Sequence, residues 1–207
     1  MKFLEVNGKQ EGYVEYVPGE HNWRGIEAPG FYAIHCIYIH AKKAKNKGIG
    51  SALLQSVIED AKKSDMDGVA VLVSEESFLA GREIFEKNGF DVLEDPNNSG
   101  FEIAYLTLKE SAAIPCFTEI DKDLSEYKGL HIIYTDQCPY VAKNVNQLAN
   151  TAKKHGFTPQ VTKIEDAQSA RQLPSPYGTF MIIYDGELKA EHYVSNSRFK
   201  NILTKEL

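Results

Sequence analysis

Cysteine is scarce in this chain of 207 residues: Cys36, Cys116 and Cys138 are irregularly spaced and have no histidine cluster nearby. A disulfide framework needs regular pairs and a zinc site needs close Cys/His spacing, so both are excluded and no metal is expected. Long apolar runs are missing too. Nothing approaches the ~20 residues of a membrane-spanning helix. The first residues also lack the charged-then-apolar pattern of a secretion signal, so a cytoplasmic protein with no membrane partner is expected. Positive charge is in deficit, with 23 Lys+Arg against 29 Asp+Glu and a net charge of −6. A nucleic-acid partner would want a broad basic face and is not expected. What is present suffices for packed cores: 43% hydrophobic residues and 11% aromatics, in a length comfortable for two small domains of about 100 residues each.

The first 110 residues predict a mixed α/β unit. Phe3 to Val6 and Tyr13 to Val17 alternate apolar and polar positions and are joined by Asn7-Gly8, a strong hairpin signal. Gly30 releases a longer strand, Phe31 to Ile39, in which Ile34, Cys36 and Tyr38 are expected on one face and His35, Ile37 and Ile39 on the other. From Ile49, apolar residues recur at Leu53, Leu54, Val57, Ile58 and Ala61, the stripe of a helix lying on a sheet. Val69 to Val73 is uninterruptedly apolar, as a strand buried on both faces would be. Phe101, Ile103 and Tyr105 close the unit with another strand.

Between the long strand and the helix lies Lys45-Asn46-Lys47-Gly48-Ile49-Gly50-Ser51. Two glycines let the backbone turn tightly with its N–H groups unobstructed, and the helix they open directs its positive end at the turn. Lys42 and Lys43 add to the local positive charge, although residues 1–127 carry 13 Lys+Arg against 22 Asp+Glu. A cationic patch on an acidic domain suits a small polyanion, and the turn reads as a pyrophosphate cradle. A dinucleotide-binding turn would need a third glycine three residues on, and position 53 is Leu.

Lys45-Asn46-Lys47-Gly48-Ile49-Gly50 resembles motif A of the GNAT-type N-acetyltransferases, with Lys45 where Gln or Arg is usual. Downstream, Val69 to Val73 and then Gly81-Arg82-Glu83-Ile84-Phe85-Glu86-Lys87-Asn88-Gly89-Phe90 resemble that family's next strand and its helix ending in Gly-Phe. The resemblance implies acetyl-CoA or coenzyme A as co-substrate, with pantetheine along Ile37-Tyr38-Ile39 and pyrophosphate on Lys47 to Ser51. It also implies an amine acceptor, small molecule or peptide. Many members place a proton-donating Tyr where this chain has Phe85. Met1 falls just before what resembles the family's second strand, so the acceptor side is expected to be incomplete or supplied by something else. His35 and Glu20 are the nearest polar options for a base.

Residues 111–127 lack periodicity and are expected to link the first unit to residues 128–207, which carry 10 Lys+Arg against 7 Asp+Glu. The second unit predicts strand, helix, strand, short helix, two strands across Asp185-Gly186, and a last helix, the order of a thioredoxin-like fold. Gln137-Cys138-Pro139-Tyr140 is similar to glutaredoxin-like Cys-Pro-Tyr-Cys sequences, with Val141 in the fourth position. Together with Ser175-Pro176-Tyr177-Gly178-Thr179-Phe180 it resembles the C-terminal domain of YoaP-like proteins. A cysteine before a helix N-terminus is expected to favour its thiolate, which makes Cys138 a further candidate for chemistry.

Two functions stand on these residues. One is an acetyl-CoA-dependent N-acetyltransferase whose C-terminal domain assists acceptor binding. The other is a monothiol redox or binding module, Cys116 being its internal thiol partner, with an inactive GNAT-like domain. The oligomeric state is open, a dimer included.

Overall fold

In the computed structural model, which describes residues 1–40, 48–75, 78–120 and 123–207, Asn7 and Gly8 take positive φ angles of 53° and 73°. Those angles give the tight turn that matches strand twist, and it joins β1 (Lys2–Val6) to β2 (Lys9–Pro18). The chain then runs through a 3-10 turn at Gly19–His21, β3 (Ile26–Glu27), β4 (Phe31–Ile39), α1 (Ile49–Lys63), β5 (Gly68–Val73), α2 (Glu83–Glu86), β6 (Asp91–Glu94), β7 (Glu102–Thr107) and β8 (Cys116–Phe117). The main sheet has the order β1-β2-β4-β5-β7-β6. Only β4 and β5 run parallel in it, with α1 as the crossover between them. All five residues of the expected α1 stripe are buried, against Val14, Ile34, Val69 and Val71 of the sheet. Gly68 permits a close approach, since a Cβ there would lie 2.2 Å from the Leu106 carbonyl oxygen and 2.4 Å from the Phe31 ring.

The strand β4 departs from simple alternation. It pairs with β2 through Glu15↔Cys36 and then Tyr16↔Ile34, leaving His35 as an extra residue, a β-bulge that shifts the side-chain phase. Ile34 therefore packs into the same α1-side cluster as Ile37 and Ile39. This corrects the expected alternation, which placed Ile34 opposite them. The bulge also coincides with a parting of strands. β4 pairs with β5 only over Phe31–Ile34 and Gly68–Val71, and among the described residues no strand pairs with that edge of β4 beyond Ile34.

Two units divide the chain, one formed by Met1–Asn22 and Ile26–Phe117, the other by Trp23–Gly25 and Thr118–Leu207. Part of the stretch expected as a linker is strand: Ile26 pairs with Phe117 and Glu27 with Cys116. Cys116 is thus an exposed strand residue. The second unit contains β9 (Leu130–Tyr134), α3 (Pro139–Lys154), β10 (Gln160–Lys163), α4 (Ala167–Arg171), β11 (Phe180–Tyr184), β12 (Glu187–Ala190) and α5 (Asn196–Lys205). Its sheet has the order β10-β9-β11-β12, with β9 and β10 parallel and the other pairs antiparallel. Asp185 and Gly186, both at positive φ, turn the last hairpin. Among the described residues no helix is long and apolar enough to cross a membrane.

Phe85 is fully buried in the α1-side core and meets Phe90 edge-to-face at 5.6 Å between ring centres. A hydroxyl added there enters an apolar environment and forfeits its water hydrogen bonds. Phe85→Tyr is expected to lower stability by about 1–3 kcal/mol in chemical denaturation. Unchanged stability would show that this ring has a route to solvent.

Candidate functional site

The free edge of β4 and the start of α1 meet in one place. A Cβ on Gly50 would lie 3.5 Å from Ile39 Cδ1 and 2.3 Å from Ile84 Cδ1, so glycine lets the first turn of α1 settle close against β4 and α2 without displacing the end of the Ile84 side chain. Gly48, the N-cap, has φ 76° and supplies no side-chain cap, and the first turn carries no acidic residue. The amides of Ile49, Gly50 and Ser51 lie in the turn whose donors have no intrahelical acceptor, at the positive end of the helix dipole. Such an end is suited to an anion. Glycine at 48 serves backbone angle alone, since a Cβ there would meet nothing within 4 Å. Ser51 Oγ accepts a hydrogen bond from Asn88 Nδ2 at 3.0 Å, and Asn88 also donates to the Ile84 carbonyl at 2.7 Å. This ties α2 to the same turn. Lys45, Asn46 and Lys47, with Lys42 and Lys43, lie outside the described residues.

Ile37, Tyr38 and Ile39 use one backbone edge to pair with Val14, Tyr13 and Gly12. The Ile37 and Ile39 side chains pack on the α1 core, while Tyr38 is about half exposed on the other face. The opposite backbone edge of this segment faces the parting from β5. An extended amide-bearing chain can add there as a strand would.

His35 is brought to this point by the bulge. Its ring is buried, with Nδ1 3.7 Å from Glu15 Oε1, and the Glu15 side chain is partly exposed. Glu20 is not brought here. Its Oε1 accepts the Gly30 amide at 3.0 Å, at the start of β4 and about 16 Å of extended strand from His35. That backbone hydrogen bond, followed by one from its own amide, holds the Glu20 carboxyl below its ordinary range, which makes it a weak base.

Cys138 lies in the second unit as the N-cap of α3, in extended conformation, with Pro139 as the first helical residue. Val141, where a second cysteine would stand, is buried on the core face of α3. The loop beside the β9 end is held by residues that sequence patterns did not single out. Arg24 is buried; its Nη1 donates to the Tyr177 carbonyl at 2.7 Å and to Thr179 Oγ1 at 2.9 Å, and its guanidinium lies 4.3 Å from the Tyr177 ring centre. Gly25 N donates to the Pro176 carbonyl at 2.8 Å. Thr135 N in turn donates to the Thr179 carbonyl at 3.1 Å. Arg24 lies within the Trp23–Pro29 stretch, between Glu20 and Glu27, and nothing in that pattern marks it as a buried charge. Among the described residues no group of three or more His, Cys, Asp and Glu side chains could hold a metal ion.

Comparison with known proteins gives two family matches, Acetyltransferase (GNAT) family over residues 2–90 and YoaP-like over residues 160–201. A Bacillus subtilis (strain 168) protein described as an uncharacterized N-acetyltransferase, YoaP, is 29% identical over 204 residues, spanning 97% of this chain and 80% of that protein. Among solved structures, a candidate GNAT-family acetyltransferase from Desulfovibrio desulfuricans is 23% identical with a TM-score of 0.41, covering 52% of this chain and 67% of its own. A candidate streptothricin acetyltransferase from Bacillus anthracis, solved with acetyl coenzyme A, is 20% identical with a TM-score of 0.41, covering 52% and 62%.

The lowered Glu20 carboxyl has a pH consequence. Its contribution to stability is present above the unfolded carboxyl value of about 4.3 and is lost as pH falls through the folded value. Glu20→Gln is expected to cost about 1 kcal/mol or less at pH 7, because the group is exposed, and the difference should fade below about pH 4. Thermal melts across pH test this; a deficit that persists in acid would contradict the Gly30 bond as its source.

Proposed function

Since the chain carries a GNAT acetyltransferase domain followed by a YoaP-like domain, we propose that it transfers an acetyl group from acetyl-CoA to an amine, in the cytoplasm, with the C-terminal domain assisting acceptor binding. The observation that carries this reading is the union of two features: the uncapped, glycine-opened start of α1 and the free edge of β4 beyond Ile34, joined through Gly50 and Ile39. One suits a pyrophosphate and the other an extended pantetheine arm.

In acetyl transfer the amine nitrogen forms a bond to the thioester carbonyl carbon, and the carbon–sulfur bond then breaks, releasing coenzyme A thiolate. The nitrogen must lose a proton and the sulfur can take one. A backbone N–H on the free edge of Ile37–Ile39 is placed to polarise the carbonyl oxygen. The His35–Glu15 pair, at the point where β4 leaves β5, is the proton-accepting group that this reading assigns. Phe85 offers no proton, and a thiol with an ordinary value near 8.5 leaves acceptably as the thiolate. Turnover without that acid is expected to run about 10²-fold below an enzyme that has one. The topology of the second unit supports a thioredoxin-like reading of it, with Cys138 at the start of its first helix.

Titration calorimetry with coenzyme A tests the proposal. The wild-type chain is expected to bind, and Gly48→Val to bind about tenfold more weakly, because a β-branched residue pays about 1–2 kcal/mol to hold the left-handed angle. Absence of binding, or equal binding by both proteins, would overturn it.

A further inference from the structure

The sheet face opposite α1 carries a continuous row of rings. Phe3 pairs with Tyr13 across β1 and β2, and Tyr13 with Tyr38 across β2 and β4. Cross-strand partners project to the same face. Ring centres are 6.3 Å apart for Phe3 and Tyr13 and 5.8 Å for Tyr13 and Tyr38; His40 lies 5.3 Å from Tyr38 and 5.9 Å from Tyr13. Phe3 is 57% exposed and Tyr38 49%. Isolated exposed rings are ordinary, but four in contact on a strand surface form an apolar patch of the kind that marks a binding site.

Carboxylates bracket the row. Glu5 follows Phe3 by two residues on β1, and Glu15 follows Tyr13 by two on β2, so both project to the ring face. The basic residue Lys2 lies on the other face, pairing with Val14 in register and reaching Asp60 of α1 at 2.7 Å. Glu15 is also the residue in contact with His35. Tyr38 is three strand residues from His35, about 10 Å. Aromatic faces carry negative quadrupole charge and attract cations. Rings flanked by carboxylates therefore favour a positively charged amine and disfavour an anionic one.

Resting on the acetyltransferase reading, we infer that the acceptor is a cationic amine with an apolar ring or chain, lying over Phe3, Tyr13 and Tyr38 with its nitrogen directed toward Glu15 and His35. Acceptors bearing a carboxylate beside the amine are poor substrates for this face. The apolar body rests on the rings, and the charge that the carboxylates attract is the proton the nitrogen must shed before it attacks.

The test uses the full chain with phenethylamine as cationic probe and phenylacetate as its anionic counterpart, read by NMR of the tyrosine ring signals. Phenethylamine is expected to shift the Tyr13 and Tyr38 signals and phenylacetate to leave them. Tyr13→Leu, with Phe3→Ala as a second variant that alters only the hairpin surface, should weaken phenethylamine binding about threefold to fivefold and leave coenzyme A affinity unchanged. No response to phenethylamine, an equal response to phenylacetate, or undiminished affinity in both variants would overturn the inference. Self-association abolished by Phe3→Glu would also overturn it, assigning the face to a second copy of the chain. Coenzyme A binding that survives any of these results leaves the acetyltransferase reading standing, and its loss in the wild-type chain removes that reading instead.

Discussion

The constraint on which the first unit depends is the release of β4 from β5 after Ile34. A parallel pair that continued in register would spend every backbone donor and acceptor of β4 within the sheet. The extra residue at His35 bends the strand, as bulges do, and pairing with β5 stops at the same point. Three consequences follow together. Ile37 and Ile39 turn onto α1, which seats Gly50 beside Ile39. The far edge of Ile37–Ile39 is left without a pairing strand among the described residues. His35 is set against Glu15 on the ring-bearing face. One inserted residue thus sets where β4 parts from β5, where Ile39 meets the start of α1 and where His35 meets Glu15.

The second unit is organised by a different economy. A buried guanidinium is costly unless it is well partnered, and Arg24 offsets part of that cost by bonding the Tyr177 carbonyl and Thr179 hydroxyl through Nη1 while lying over the Tyr177 ring. Gly178, at φ 70° with room for no Cβ against the Trp23 carbonyl, and Gly25, pressed on Pro176, let the two segments approach. The loop so fixed holds Thr135 through the Thr179 carbonyl, three residues before Cys138. That cysteine, at the head of α3, thus follows closely on a residue tied to the loop that Arg24 holds.

Much of this was legible in the sequence. Asn7-Gly8 announced its hairpin because two adjacent positive φ angles admit few residue pairs, and the α1 stripe emerged because a helix on a sheet repeats its apolar face every turn. Gly48 and Gly50 were legible as the glycines that open α1, but not what each does there: Gly48 takes the left-handed angle of the N-cap, whereas Gly50 lies close under the end of the Ile84 side chain. The bulge was illegible because alternation in Phe31–Ile39 is apolar on both faces, so a phase shift leaves no trace in hydrophobicity. The strand at Cys116–Phe117 is two residues long, too short for any period. Glu20 and His35 looked alike as polar neighbours of one strand, and only the fold places Glu20 against the start of it and His35 at its central bulge.

Backbone amide hydrogen exchange with and without coenzyme A tests the central claim most directly, because the claim concerns main-chain groups. Binding should slow exchange at the free-edge amides of Ile37–Ile39 and at Ile49, Gly50 and Ser51, leaving β6 and the second-unit sheet unaltered. Protection confined to other segments, with the edge of β4 exchanging as before, would contradict the account of β4 as the strand that the co-substrate completes.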